Sequence, residues 1–427
     1  MTKKQLDDFI EQLNERGICL GLDSIGVLLD KLGNPQKDID FVHIAGTNGK
    51  GSILAYVSTV LKEAGYKVGR YISPVIVDYR EKIQVNEKYI TKKALYEGME
   101  LISDILHSKD YEDKQWPTLF EVETALAFWY FKQCKCDIVV LETGLGGAED
   151  ATNIIDHSLV DVFASISRDH MRLLGNTVED IARVKSGIIK SGSRVVSAPA
   201  SRSVLSVLLE RALALGNTMS AVNPASICNV KYGLSKQTFD YKDYKKLTVT
   251  MAGTYQIENA ATALEVVLAL REKGFKISDK ALYDGLKKAT WYGRFSVVKK
   301  KPLVIVDGAH NEDAAKKLRA SMETYLSDKR KIFIMGVLAD KEYEKVISAT
   351  SDLADHIITL TPPNNMRALP AQELARAVQD HHAKVTVADS VEEALEMAYL
   401  LGSGECAIIA FGSLSYLGRL KECIESK

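Results

Sequence analysis

Short runs of consecutive apolar residues, rich in Val and Ile, alternate along the chain with longer stretches in which apolar positions recur every three or four residues. The first pattern predicts strands buried on both faces and the second amphipathic helices, and their alternation marks parallel sheets covered by helices, an α/β fold. In the first half, strands are predicted at 41–45, 137–142, 160–166 and 194–197, with helices at 52–64 and 178–189 between them. Residues 217–250 turn to short polar and β-like pieces, and a helix at 259–272 follows, with Gly274 placed to cap its end. From Pro302 the alternation restarts as LVIVD, KIFIMG, HIITL, KVTVAD and CAIIAFG with helical stretches between, and Ser390 and Glu393 have the spacing of a capping box. The polar segment 291–301 separates the two halves, so two domains are expected, 1–295 and 296–427.

Composition narrows the class of function. Hydrophobic residues make up 46% and charged residues 26% of 427, enough apolar material for sizeable cores and too much for disorder. Lys and Arg total 55 against 56 Asp and Glu, so no bulk field favours nucleic acid or an anionic membrane, and small-molecule substrates fit better. The amino terminus has a helical rhythm at Leu6, Phe9, Ile10 and Leu13 without the apolar core of a signal peptide, and no run reaches 18 apolar residues. Six scattered cysteines are expected as free thiols in a reducing, cytoplasmic setting; Cys134 and Cys136 as metal ligands are the alternative.

The strongest local signal is FVHIAGTNGKGS, residues 41 to 52, a strand entering a glycine-rich loop and then a helix. Glycines let backbone N–H groups reach phosphate oxygens, the helix N-terminus adds positive potential, and Lys50 can bridge β and γ phosphates. The nucleotide-binding candidates are therefore Gly46, Thr47, Asn48, Gly49, Lys50, Gly51 and Ser52. The match to the strict phosphate-loop pattern is incomplete, since Ile44 stands at the first glycine position and Gly51 follows the lysine.

Two more strands end in groups that bind cations: CDIVVLETGLGG delivers Glu142, and VDVFASISRDH delivers Asp169 and His170. In open parallel sheets the ligand crevice lies outside the carboxyl ends of the strands, so these segments should meet at the phosphate loop. There they can hold Mg²⁺, although Mg²⁺ prefers oxygen ligands and keeps several waters; taken singly, Glu142 reads equally as a helix cap. In the second half, LVIVDGAHN ends a strand at Asp307 and puts His310 and Asn311 in the turn before a helix, which is either a site or a capped helix start.

Taken in order, GTNGKGS at 46–52, SP at 73–74, REKIQVN at 80–86, PTLFEVET at 117–124, ETGLGG with DATN at 142–153, DHMRLLGNT at 169–177, KSGIIK at 185–190, AGTYQIENAA at 252–261, GRFSVV at 293–298, DGAHN at 307–311, MRALPAQELA at 366–375 and FGSLSYLG at 411–418 resemble the folylpolyglutamate synthase/dihydrofolate synthase family of the Mur ligase superfamily. The resemblance implies an N-terminal P-loop ATPase domain with a mostly parallel sheet and a smaller C-terminal Rossmann-like domain. It also implies ATP-dependent ligation of L-glutamate to a folate or dihydropteroate through an acyl phosphate, with Mg²⁺ and a monovalent cation as accessory ions, in a monomer without nucleic-acid or membrane partners.

Carried over by position, Lys50 matches the phosphate-loop lysine, and Ser73, Glu142 and His170 match metal ligands. Lys185 matches a lysine that is carbamylated in related ligases, which would turn an ammonium into an anion. Asn259 matches an adenine contact, Arg294 a phosphate contact and Asp307 a nucleotide contact, while His310 and Ser413 match positions near the incoming glutamate. Thr118, Phe120 and Glu121 fall in the segment associated with the pterin substrate, where Phe120 either stacks on a ring or packs in the core. Lys50, His170, Lys185 and His310 are thus the catalytic candidates. Ala148 stands where the family commonly has Arg, Val184 where Glu precedes the lysine, Ser167-Arg168 where Gly-Leu precedes Asp-His, Val75 for a His after SP, and Tyr255 for a His before Gln256. These departures motivate a second reading, a ligase-like nucleotide- or folate-binding protein of low turnover. A third, a ligase of peptidoglycan precursors, is disfavoured because the phosphate loop begins near residue 46, leaving no evident uridine-nucleotide domain before it.

Overall fold

Ile44 and its neighbours on the first strand are flanked on both sides by parallel strands, and everything that positions the candidate site follows from that placement. The computed structural model describes every residue except 18, 110, 113–115, 403–404 and 427. Residues 1–224 and 258–286 form one unit, and residues 225–257 and 287–427 a second.

The first unit holds an eight-stranded sheet of β1 (Phe41–Ala45), β2 (Val68–Tyr71), β3 (Ile83–Val85), β4 (Lys88–Tyr89), β5 (Ile138–Glu142), β6 (Val160–Phe163), β7 (Arg194–Ser197) and β8 (Thr218–Ala221), in the order β4-β3-β2-β5-β1-β6-β7-β8. All pairs from β2 to β8 across the sheet are parallel; only β3 and β4 turn back antiparallel at one edge. Every residue of β1 and β5 is buried, which explains why they read as unbroken apolar runs with no alternation. The chain passes from β1 toward β2, then after β5 crosses to β6 on the other side of β1. This reversal opens the crevice at the carboxyl ends of β5, β1 and β6.

Helix Lys50–Glu63 follows β1 and is buried at every position from Gly51 to Leu61, so its core contact is all round and not a stripe. The expected strand 160–166 stops at Phe163 because the next residues leave the ladder: the Ser165 carbonyl accepts instead from Thr47 and Asn48 N–H groups. The expected helix 178–189 likewise ends at Ser186.

The second unit contains an antiparallel sheet of β9 (Ile227–Lys231), β10 (Gln237–Tyr241) and β11 (Tyr244–Val249), and a six-stranded sheet of β12 (Ser296–Lys300), β13 (Leu303–Val306), β14 (Arg330–Met335), β15 (His356–Thr359), β16 (Val385–Val387) and β17 (Cys406–Phe411). The latter runs β12-β13-β17-β14-β15-β16, parallel except for the β12–β13 hairpin. The polar segment 291–301, expected to separate domains, is corrected here: its second half is β12, whose polar and half-buried residues suit a sheet edge. Within the 217–250 region, β8 joins the large sheet while β9–β11 belong to the second unit, where Gln237 binds the Met251 and Gly253 carbonyls and accepts from the Tyr325 hydroxyl. The grouping therefore differs from a single boundary at 295/296. Gly274 takes φ +93° after helix Gln256–Glu272, and Ser390 Oγ accepts from Glu393 N–H at 3.1 Å, both as expected. Among the described residues no helix is long and apolar enough to cross a membrane.

Candidate active site

The loop after β1 is stitched to the segment after β6. Thr47 N–H donates to the Ser165 carbonyl at 2.7 Å, and the Thr47 hydroxyl both donates to the Ser167 carbonyl at 3.0 Å and accepts from its N–H at 3.1 Å. Gly49 precedes the helix at φ +96°, and a Cβ there would lie 2.7 Å from Asn259 Oδ1. Only glycine lets the loop turn with Asn259 this close. Asn259, a candidate nucleotide contact, is thus beside the loop from which it is 210 residues distant in sequence.

Two lysines meet at one oxygen. Lys50 Nζ donates to the Gly46 carbonyl at 3.3 Å and Lys185 Nζ to the same carbonyl at 3.0 Å. Glu142, at the end of β5, places Oε1 3.8 Å from Lys50 Nζ. Lys185 is only 4% exposed; burial first, and then repulsion by Lys50, push its amine down to about 7. Four of the sequence-derived candidates, Gly46, Lys50, Glu142 and Lys185, therefore come together.

The loop after Glu142 is held by Asp150, whose carboxylate accepts from Leu145 N–H at 2.7 Å, Thr152 N–H at 3.0 Å and the Thr152 hydroxyl. Burial raises the Asp150 carboxyl above its usual range. His43 on β1 in turn contacts Thr152 Oγ1 at 2.9 Å, and burial lowers its imidazole to about 3, so it stays neutral. Sequence reading missed Asp150 as an organiser of this loop, although the D-x-T spacing of a side-chain-to-backbone turn was there to be seen. Two departures prove to be neighbours: Ala148 N–H donates to the Val184 carbonyl at 3.0 Å. The absent Arg and the absent Glu belong to one place.

Asp169 and His170 follow the stitched segment. His170 has φ +50°, its N–H donates to Asp169 Oδ1 at 2.9 Å, and its Nε2 lies 3.8 Å from the same oxygen. Ser73 lies in the loop after β2, ahead of a turn in which the Glu81 carboxylate collects the Ile76, Val77 and Asp78 N–H groups at 2.9 to 3.0 Å. Thr118 and Glu121 form a reciprocal cap at the start of helix Leu119–Gln133, with Ser24 Oγ donating to Glu121 at 2.6 Å, so both polar groups are engaged in holding the helix end. Phe120 rests on Gly144, where a Cβ would lie 2.5 Å from its ring, and it also faces Tyr71 at 6.0 Å between centroids. Phe120 thereby ties this helix to the loop that follows Glu142.

In the second unit Asp307 directly follows β13 and is buried, accepting from Phe295 N–H at 2.7 Å, Tyr255 Oη–H at 2.8 Å and Ala309 N–H at 2.8 Å. Burial raises its carboxyl despite the nearby Arg294 guanidinium. Tyr255, a departure in sequence, thus has a defined task as a hydrogen-bond donor to Asp307. Arg294 Nη1 binds the Gly293 carbonyl at 3.0 Å, His310 Nδ1 lies 2.7 Å from the Gly308 carbonyl, and Ser413 Oγ lies 2.8 Å from Ser415 Oγ. Parallel pairing of Val306 with Ala410 puts Asp307 and Ser413 at the same carboxyl edge of the sheet.

Residues 44–267 match the Mur ligase middle domain, and residues 293–414 match the Mur ligase glutamate ligase domain. The chain belongs to the Mur ligase family. Within it, the chain is 35% identical over 417 residues to the dihydrofolate synthase/folylpolyglutamate synthase of Bacillus subtilis, covering 95% of each chain. Its fold is similar to that of the folylpolyglutamate synthase of Thermotoga maritima, with a TM-score of 0.85, 34% identity, and coverage of 98% and 97%. A further similar structure is Escherichia coli FolC in complex with DHPP and ADP, with a TM-score of 0.86, 30% identity, and coverage of 99% and 98%. This Mur ligase is an ATP-dependent ligase of the folylpolyglutamate synthase/dihydrofolate synthase branch.

The donor set of this Mur ligase suits a hard cation held mainly by its substrate. Among the described residues no three His, Cys, Asp or Glu side chains gather into a metal cage. Glu142 nevertheless offers a buried carboxylate at the edge of the phosphate loop, and Mg²⁺ commonly binds through one or two carboxylates plus phosphates and waters.

Proposed function

We propose that the chain joins L-glutamate to the carboxyl group of a folate or dihydropteroate substrate with conversion of ATP to ADP and phosphate. The observation that carries this reading is the meeting of Lys50 and Lys185 at the Gly46 carbonyl with Glu142 alongside, in a chain that aligns nearly end to end with ligases of that name. A carboxylate is a poor acyl donor, so the reaction first makes phosphate its leaving group. A substrate carboxylate oxygen attacks the γ-phosphorus and ADP leaves; the deprotonated amine of glutamate then attacks the acyl carbon and inorganic phosphate leaves.

In this assignment the N–H groups of residues 46–52 and the Lys50 ammonium bind the phosphates and offset the charge that develops on them. Asn259 contacts adenine, Arg294 phosphate and Asp307 the nucleotide, the last with an orientation fixed by Tyr255, Phe295 and Ala309. His310 and Ser413 serve the incoming glutamate. Thr118 and Glu121 set the start of a helix from which Phe120 presents a ring to the pterin side. Ser73, Glu142 and His170 would hold Mg²⁺, which when bound neutralises phosphate charge so that an anionic nucleophile can approach. Carbamylation of Lys185 is supported by its depressed basicity, since the neutral amine is the form that adds to carbon dioxide. We assign ATP binding mainly to residues 1–295 and glutamate ligation mainly to residues 296–427, a division supported by matches of 44–267 to the Mur ligase middle domain and of 293–414 to the glutamate ligase domain. We place the chain in the cytoplasm as a monomer acting on small molecules, consistent with six unpaired cysteines and a formal net charge of −1.

The test is a substrate matrix. The purified chain is incubated with ATP, Mg²⁺ and glutamate plus either dihydropteroate or a reduced folate, and ADP and the glutamylated product are measured. Glutamate-dependent ADP release with product from either acceptor is expected, and the acceptor used fixes the preference. ADP release without any glutamylated product, or none with both acceptors, overturns the assignment.

A further inference from the structure

We propose that Arg168 binds the terminal phosphoryl group of the nucleoside triphosphate, adding a cation that belongs to neither the phosphate loop nor the carboxylate set. The proposal rests on the reading of residues 46–52 as the ATP loop. Its first support is position. Ser165 accepts from Thr47 N–H at 2.7 Å and Asn48 N–H at 3.2 Å, and Ser167 exchanges two hydrogen bonds with the Thr47 hydroxyl at 3.0 and 3.1 Å. Arg168 is the next residue, so its backbone is fixed to the loop with no free residue between. A long cationic side chain anchored there starts from the loop itself.

Its second support is availability. Arg168 is exposed, and its guanidinium has no hydrogen bond or ion pair among the described residues. The adjacent Asp169 carboxylate instead accepts from His170 N–H at 2.9 Å. Arg172, four residues further on, is likewise exposed and unengaged among the described residues, so the segment from 168 to 172 carries two guanidinium groups against one carboxylate. Solvated arginines are common on surfaces, and exposure alone would mean little.

The third support is packing and the chemistry of the side chain. The short helix Met171–Leu174 that follows this segment packs against helix Val178–Ser186, whose Lys185 binds the Gly46 carbonyl, so the segment is held to the loop from a second side. A guanidinium matches phosphate geometry with two parallel hydrogen bonds and does not lose its charge at any accessible pH. A cation tied through Ser167 to Thr47 stands beside the loop read here as holding the phosphate end of the nucleotide.

The test compares Arg168→Leu and Arg168→Lys in the full chain for affinity toward ADP and toward a non-hydrolysable triphosphate analogue with Mg²⁺. Arg168→Leu should weaken the analogue by about tenfold or more while ADP binding changes by less than about threefold, as for loss of a charged hydrogen bond to a group that ADP lacks. Arg168→Lys should recover part of the loss, and both variants should melt with the parent. Equal analogue affinity in Arg168→Leu, or equal loss for ADP and the analogue, overturns the proposal. A parent chain that binds neither nucleotide overturns the reading of the loop itself, so the two failures are distinguishable.

Discussion

Lys185 Nζ lies 3.0 Å from the Gly46 carbonyl oxygen, so a lysine on helix Val178–Ser186 is tied to the backbone of the phosphate loop. Burial lowers its pKa from 10.5 to about 7, and the consequence for stability has a definite sign. Between pH 7 and 10.5 the unfolded chain binds the proton that the folded chain has released, so this residue's contribution to stability rises with pH across that window and is least favourable below it. Lys185→Met should therefore raise the melting temperature at pH 6 relative to the parent, by about 1–3 kcal/mol in stability, with the difference shrinking toward pH 10. The same variant should lose ligation, and short carboxylic acids added to Lys185→Ala should restore part of it if a carbamate is the working form. Thermal melts across pH and a mass measurement with bicarbonate check both halves; full activity in Lys185→Ala would remove the catalytic role.

Lys50, the first residue of helix Lys50–Glu63, places a part-buried charge at the loop and adds little to the apolar core. Lys50→Ala should lower turnover by about a thousandfold, in line with loss of a preorganised cation at a phosphoryl group, while leaving the melting temperature within a few degrees. Steady-state ADP release and a thermal melt on the same preparation decide it. Near-parental turnover in a folded variant would withdraw the phosphate role of this residue.

Glu142→Gln keeps shape and removes one charge beside Lys50. The concentration of Mg²⁺ giving half-maximal activity should rise by about tenfold or more. A magnesium titration at saturating ATP measures this. Coincident titrations for parent and variant would make Glu142 a structural partner of Lys50 only.

Gly49→Ala meets two separate obstacles, a φ of +96° and an approach of 2.7 Å to Asn259 Oδ1. It should cost about 1–3 kcal/mol of stability and weaken nucleotide binding. Adding Asn259→Ala should relieve the clash and not the backbone strain, recovering stability only in part. A denaturation series on the single and double variants tests the split; full recovery would show that the close approach alone excludes a side chain.

Much of the fold could be read from the residues because parallel strands buried on both faces leave unbroken Val/Ile runs, as at 41–45 and 138–142. Strand ends were harder. Nothing local says that the chain leaves the ladder after Phe163, since the cause is a hydrogen bond from Thr47, more than a hundred residues earlier. The edge strand Ser296–Lys300 was hidden by its polarity, which is what an edge requires. At the site, Lys50 and Glu142 were legible because each ends or follows a strong strand. The link between Tyr255 and Asp307, and that between Ala148 and Val184, were not, because each joins segments whose proximity only the tertiary fold creates.

Helix Gln256–Glu272 starts in one unit and continues in the other, and the second unit is assembled from 225–257 and 287–427. Neither half of this enzyme is therefore a contiguous stretch of gene. A chimaera that exchanged only the residues after 295 would leave Tyr255 and Gln237 behind and strip Asp307 and Tyr325 of their partners. Recombination that preserves function has to move two pieces together, so inheritance of this ligase as a whole chain is built into its threading.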